Sequence, residues 1–161
     1  MSKILARTHA YAVHLTWTGG AQGPAQDYVS YSRAYALAFE GKPTLEASAD
    51  PLFRGDAALH NPEDLLVGAL AGCHMLTYLA HCVRAKIAVI AYEDAASGTM
   101  VLEGGGGRFT EVILHPRVTV AAGTNVAKAL ALHEAAHHDC FIAASMNFPV
   151  RHEAEVAAAG D

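Results

Sequence analysis

Three cysteines, Cys73, Cys82 and Cys140, are the side chains best suited to chemistry in this sequence. A thiolate is a nucleophile and a reductant, and two thiols within reach of each other make a reversible redox pair. Cys73 falls near the middle of a long helical pattern, flanked by Ala71, Gly72, Met75 and Leu76. The positive end of the helix dipole is too far off to lower its pKa, so composition alone makes it a small core residue, and a nucleophilic role requires a cation brought to it. Cys140 follows a second helix and opens a short helical turn, where free amides favour a thiolate; a buried loop cysteine is the plain alternative. Cys82 lies nine residues after Cys73, about 180° around the helix and roughly 13 Å along it, and is assigned to packing.

Ten histidines are the other reactive population. His133, His137 and His138 with Cys140 resemble a metal-ligand cluster, because His133 and His137 share a helix face at four-residue spacing. No fourth ligand is visible, and no acidic general base stands between the pair in a zinc-protease pattern. Solvated or hydrogen-bonded histidines are the preferred reading, and neither a metal nor an organic cofactor is expected.

The element that must position Cys73 runs from Asn61 to Lys86. Asn61 suits an N-cap, Pro62 the first helical position, and Glu63 and Asp64 place negative charge at the first turn. From Pro62 to Ala85 such a helix spans roughly 36 Å, the width of a small domain. Ahead of it, His9 to Thr18 and Tyr28 to Phe39 have strand character and read as a hairpin. Glu40 to His60 dissolves into Pro, Gly and Asp, a long connection that delivers Arg54. After the helix, strands are expected over Ile87 to Glu93 and Met100 to Glu103 around a turn at Ser97 and Gly98, then a flexible connection at Gly104 to Gly107. Phe109 to Val120 reads as one strand, with Pro116 making its middle an edge or bulge. Thr124 or Asn125 caps a helix over Val126 to His138, a helical turn covers Cys140 to about Ser145, and Asn147 to Val156 closes as a strand. Segregated hairpins favour α+β over a doubly wound parallel sheet.

With 161 residues, 52% hydrophobic and 17% charged, the chain reads as a single domain over 1–161 with ample material for a core. Eleven basic residues against sixteen acidic give a net charge of -5, and the basic ones are scattered, which argues against nucleic-acid and membrane-surface partners. The start lacks an apolar run of signal-peptide length, and Gly68, Gly72, His74, Tyr78 and His81 interrupt that of the long helix, so a cytoplasmic location is expected. An odd number of cysteines without an export signal argues against a structural disulfide framework.

Two stretches, NPEDLLVGALAGC at Asn61 to Cys73 and AHHDCFIAASMNFPV at Ala136 to Val150, resemble the OsmC and Ohr proteins, osmotically inducible and organic-hydroperoxide-resistance thiol peroxidases. SADPLFRGDAALHNPEDLL looks like an OsmC-like subfamily. The resemblance implies an OsmC-like α+β fold, antiparallel sheets wrapped around two central helices in an intertwined homodimer. It implies that Cys73 is the peroxidatic cysteine and Cys140 the resolving one, and that Glu63 pairs with an activating arginine. Arg54 is similar in position to the OsmC arginine; Arg33, in the first hairpin, is its rival. The implied substrate is an organic hydroperoxide or hydrogen peroxide, and the implied reductant a lipoyl protein or small thiol. A noncatalytic small-molecule-binding or metal-binding member of the same fold is the alternative.

Helix geometry adds that Glu63 and Cys73, ten residues apart, stand roughly 15 Å apart along one helix and do not easily meet around one arginine. Gly68 is their midpoint. With Ala69 and Gly72 it forms a small-residue patch about which two such helices can cross, bringing Glu63 of one subunit toward Cys73 of the other.

Overall fold

Helix α1 spans Pro62–Arg84 in a computed structural model that describes residues 7–160. Its expected cap is present: the Asp64 N–H donates to Asn61 Oδ1 at 2.8 Å. At the other end, Ile87 N–H bonds Cys82 O at 2.9 Å and Lys86 N–H bonds Val83 O at 3.0 Å. That pair of bonds is a Schellman closure, and it puts Lys86 at φ 58, in the left-handed region normally left to glycine. By length and hydropathy alone α1 could cross a membrane. Its buried residues Leu70, His74, Tyr78 and Cys82 recur every fourth position and make one stripe facing the chain's interior.

The chain divides into two units, Met1–Asp64 and Leu65–Asp161. In the first, β1 (His14–Trp17), β2 (Tyr35–Ala38) and β3 (Leu45–Ala47) form an antiparallel sheet in that order. The hairpin expected from the sequence is there, with both strands shorter. Tyr28 to Ala34 is captured by local bonds instead: Asp27 accepts from the Val29 and Ser30 amides, and Trp17 Nε1 donates to Ser32 O at 2.8 Å. Such side-chain bonds compete with a ladder. The short β3 emerges from the stretch read as pure connection.

The second unit holds β4 (Val89–Asp94), β5 (Ser97–Glu103), β6 (Gly106–Leu114), β7 (Pro116–Val120), α2 (Val126–Asp139), β8 (Val150–His152) and β9 (Glu155–Ala158). These strands make two three-stranded sheets, β4-β7-β9 and β5-β6-β8. Three stretches, 89–103, 106–120 and 150–158, each run through both sheets and bend at one level. At the bend His115 N–H donates to Asp94 Oδ1 at 2.7 Å and Glu153 N–H donates to Leu114 O at 2.8 Å. Pro116, lacking an N–H, is the first residue of β7, a place a strand tolerates it. It therefore divides the expected strand Phe109 to Val120 in two, and the closing strand divides at the same level.

Two further expectations are corrected. Gly104 and Gly105, at φ 59 and 81, make the tight turn of the β5-β6 hairpin where a flexible connection was expected. The sheets are also mixed, because β8 pairs parallel to β6 and β9 parallel to β7. The architecture remains α+β.

The helices share a core with the sheet. Tyr78 and Cys82 of α1 and Ala129 and Ala136 of α2 are buried with Val118, Val120 and Ile87. A neighbouring cluster gathers Leu70, Val112, Leu114 and Val150.

Candidate dithiol site

In the first unit, Arg54 and Glu63 are placed by different devices. Arg54 closes a 3-10 turn at Pro51–Phe53 and is held left-handed, at φ 67 and ψ 27. Asp50 builds that turn: its side chain accepts from Leu52 N–H at 2.7 Å and its carbonyl from the Phe53 and Gly55 amides at 2.8 and 3.0 Å. A Cβ on Gly55 would lie 1.6 Å from Ala49 O, so only glycine fits there. The loop is tied at its base, where Asp56 N–H donates to Ser48 Oγ and Ser48 N–H to His60 O. A left-handed non-glycine residue costs of order 1–3 kcal/mol. The exposed Arg54 guanidinium makes no hydrogen bond or ion pair among the described residues.

Glu63 is half-buried in the first turn of α1. Burial, and then the charge of Glu63, push the Tyr35 phenol above its ordinary range. Among the described residues no ion pair joins Glu63 to Arg54 within one chain, so the pairing implied by the resemblance is not made there. Arg33 is engaged elsewhere: its guanidinium donates to the Tyr28 and Tyr31 carbonyls and lies 3.7 Å from the Tyr31 ring centroid.

In the second unit the two expected cysteines come together. Cys73 is half-buried rather than sealed in the core, while Cys140 is 1% exposed. Cys140 caps α2 at its C-terminus, its N–H bonded to His137 O at 3.3 Å and its carbonyl to Ala144 N–H at 3.0 Å. Burial pushes the Cys140 thiol up; the Ala143 amide pulls it back, the Cys73 thiol beside it raises it again, and the Ile142 amide lowers it. The amides expected after α2 are therefore aimed at sulfur, but burial outweighs them. All three cysteines are free thiols, and Cys82 is fully buried in the core as its helical position required. An accessible thiol against a protonated, water-excluded one is suited to accept an oxidant first and close a disulfide second.

The same unit holds a cluster of imidazoles. His74 and His133 are fully buried, and His74 Nε2 stands 3.0 Å from His133 Nδ1. His133 stacks on Tyr78, with centroids 3.8 Å apart. His152 flanks both, at 5.5 Å from His74 and 5.9 Å from His133, and its Nε2 lies 3.4 Å from Glu134 Oε2. Burial lowers the His74 pKa to about 4 and that of His133 to about 3, with neighbouring imidazoles adding to the shift. His137 is half-buried and His138 exposed beside Asp139. Among the described residues no group of three or more His, Cys, Asp or Glu is arranged to hold a metal ion. His74 and His152 were not candidates from the sequence. The signal for His74 was its four-residue spacing from both Leu70 and Tyr78, which puts it in the buried stripe instead of interrupting an apolar run.

A family model for OsmC-like proteins matches residues 55–155. Among solved structures, an OsmC-like protein of unknown function from Vibrio cholerae is 29% identical, with a TM-score of 0.83 over 92% of this chain and 100% of that one. Organic hydroperoxide resistance proteins from Elizabethkingia anophelis and Legionella pneumophila share the fold. They are 21% and 16% identical, with TM-scores of 0.66 and 0.67. Each alignment covers 94% of this chain and 99% of the other. No curated protein matches the chain.

Proposed function

The chain belongs to the OsmC-like protein family, and from that premise we propose that it is a cytoplasmic, thiol-dependent peroxidase that reduces organic hydroperoxides in defence against oxidative stress. The observation that carries this reading is the half-buried, partly accessible Cys73 set against the fully buried Cys140. The Cys73 thiolate attacks the terminal peroxide oxygen, the O–O bond breaks, and the alkoxide leaves as an alcohol after taking up a proton. Cys73 is left as a sulfenic acid. The Cys140 sulfur then attacks the Cys73 sulfur, the S–O bond breaks, and hydroxide departs as water with the Cys140 proton. An exogenous dithiol, a lipoyl group or a pair of small thiols, reopens the disulfide by exchange and is itself oxidised.

Arg54 is the preferred activating cation, because its guanidinium is uncommitted while that of Arg33 is bonded to its own loop. A guanidinium near sulfur favours the thiolate and steadies the departing oxygen. The working form is a homodimer in which the partner supplies Arg54 and Glu63 to Cys73. Support comes from α1, of whose apolar stretch only 22% is buried within the chain. Among the described residues a Cβ on Gly68 or Gly72 would meet nothing within 4 Å, leaving room for a second helix to approach closely.

Peroxide consumption by cysteine variants tests the reading. Cys73→Ser abolishes it, and Cys140→Ser permits one turnover that ends in a sulfenic acid trapped by dimedone. Full turnover by Cys73→Ser would overturn it.

A further inference from the structure

A buried polar pair is harder to explain than an apolar one, and the His74–His133 pair is unusual in how little else satisfies it. Both imidazoles are fully buried and neutral, so one proton lies between His74 Nε2 and His133 Nδ1. Whichever ring carries it, the outer nitrogens, His74 Nδ1 and His133 Nε2, are left as one donor and one acceptor, and both are buried without a partner among the described residues. Two apolar side chains of the same volume would be cheaper to bury there. What they would lack is direction. Apolar burial carries no directional preference of its own, whereas a hydrogen bond of 3.0 Å favours one relative rotation of the two helices.

That rotation is the one the cysteines need. His74 follows Cys73 directly on α1, so fixing its azimuth fixes that of Cys73, about 100° away. At the C-cap of α2, Cys140 lies seven residues beyond His133, two turns on and within about 20° of the same face. Ala129, His133, Ala136 and Cys140 are the buried members of that face among the described residues. We propose that the buried His74–His133 hydrogen bond is a positioning contact for the dithiol, setting the rotation of α1 against α2 at which the Cys73 and Cys140 sulfurs meet. It acts on disulfide closure and leaves the first oxidation of Cys73 alone. The inference rests on Cys73 and Cys140 being a redox pair, as proposed above.

The test is the effective concentration of the Cys73–Cys140 dithiol, measured by equilibrating the full-length protein with reduced and oxidised glutathione and counting disulfide by mass. His133→Leu is expected to lower it about tenfold, the equivalent of one well-made hydrogen bond, with the rate of Cys73 alkylation by iodoacetamide unchanged. His133→Asn, which keeps a bonding group at the Nδ1 position, and His74→Gln, which keeps one at the Nε2 position, recover most of it. A purely volumetric role would place Asn no higher than Leu. If His133→Leu does not fold, the double variant His74→Gln/His133→Asn decides: a value within about threefold of the wild type supports the contact, and a tenfold fall overturns it. Equal values in wild type and His133→Leu also overturn it. A wild-type protein that forms no disulfide with glutathione refutes the dithiol reading and this inference with it, whereas closure without peroxide turnover refutes the peroxidase reading alone.

Discussion

His74 Nε2 lies 3.0 Å from His133 Nδ1 across the two helices of the second unit, with both rings out of contact with solvent. Burial holds these histidines neutral, at pKa values of about 4 and about 3 against 6.5 in the unfolded chain. As pH falls below 6.5, the unfolded chain takes up protons that the folded one refuses, so stability is lost progressively. The loss runs down to about pH 4 for His74 and about pH 3 for His133. The facing groups are Tyr78 of α1, His137 of α2, Tyr92 of β4, and His152 of β8 with its partner Glu134. Asp94 of β4, raised by burial, works in the opposite direction lower on the scale. Urea midpoints are expected to drop between about pH 7 and about pH 5, and His133→Asn to flatten that profile.

Thiol reactivity should follow exposure. Native, reduced protein treated with iodoacetamide is expected to be labelled first at Cys73, which is half-buried where the other two thiols are sealed. Cys140 and Cys82, buried and with thiols raised above their ordinary range, should react only after denaturation. Peptide mapping at early times checks the order.

Arg54 offers a separation of stability from activity. Its left-handed backbone favours glycine, so Arg54→Gly is expected to raise stability by up to about 1 kcal/mol. Removing the guanidinium should slow Cys73 oxidation by about tenfold or more. Gly55→Ala, with Ala49 O in the way of its methyl group, should lower both, by an estimated 2 kcal/mol or more in stability. Stopped-flow oxidation beside thermal unfolding measures the two quantities.

Lys86 is the matching case at the end of α1. Its Schellman position at φ 58 predicts that Lys86→Gly stabilises the protein by about 1 kcal/mol without touching oxidation. Denaturant unfolding checks it.

The dimer is tested on the exposed face of α1. Gly68→Leu and Gly72→Leu place side chains in open space within one chain, so folding should be retained. Sedimentation should then show a shift from dimer to monomer, with peroxide turnover lost alongside it. Unchanged dimers with full turnover would rule this face out.

What could be read in advance divides along a physical line. Helices announce themselves locally: Asn61 and Asn125 cap α1 and α2 where expected, and the spacing of Cys82 from Cys73 placed it in the core. Strand ends depended on partners not adjacent in sequence. The bend that separates β6 from β7 is made by Asp94 and Glu153, twenty-one and thirty-eight residues from His115, and the parallel pairing of β8 and β9 has no local signal. At the site, the cysteines were found through a motif resemblance, since composition alone put Cys73 in the core. His74 was passed over because a polar residue in an apolar run suggests an interruption, while the partner that makes its burial tolerable, His133, stands fifty-nine residues away.

The most direct measurement is the intact mass of the reduced protein after one equivalent of cumene hydroperoxide, followed by mapping of the linked peptides. Loss of two hydrogens is expected, with a single cross-link between Cys73 and Cys140. An unchanged mass, or a disulfide drawn from Cys82, would contradict it.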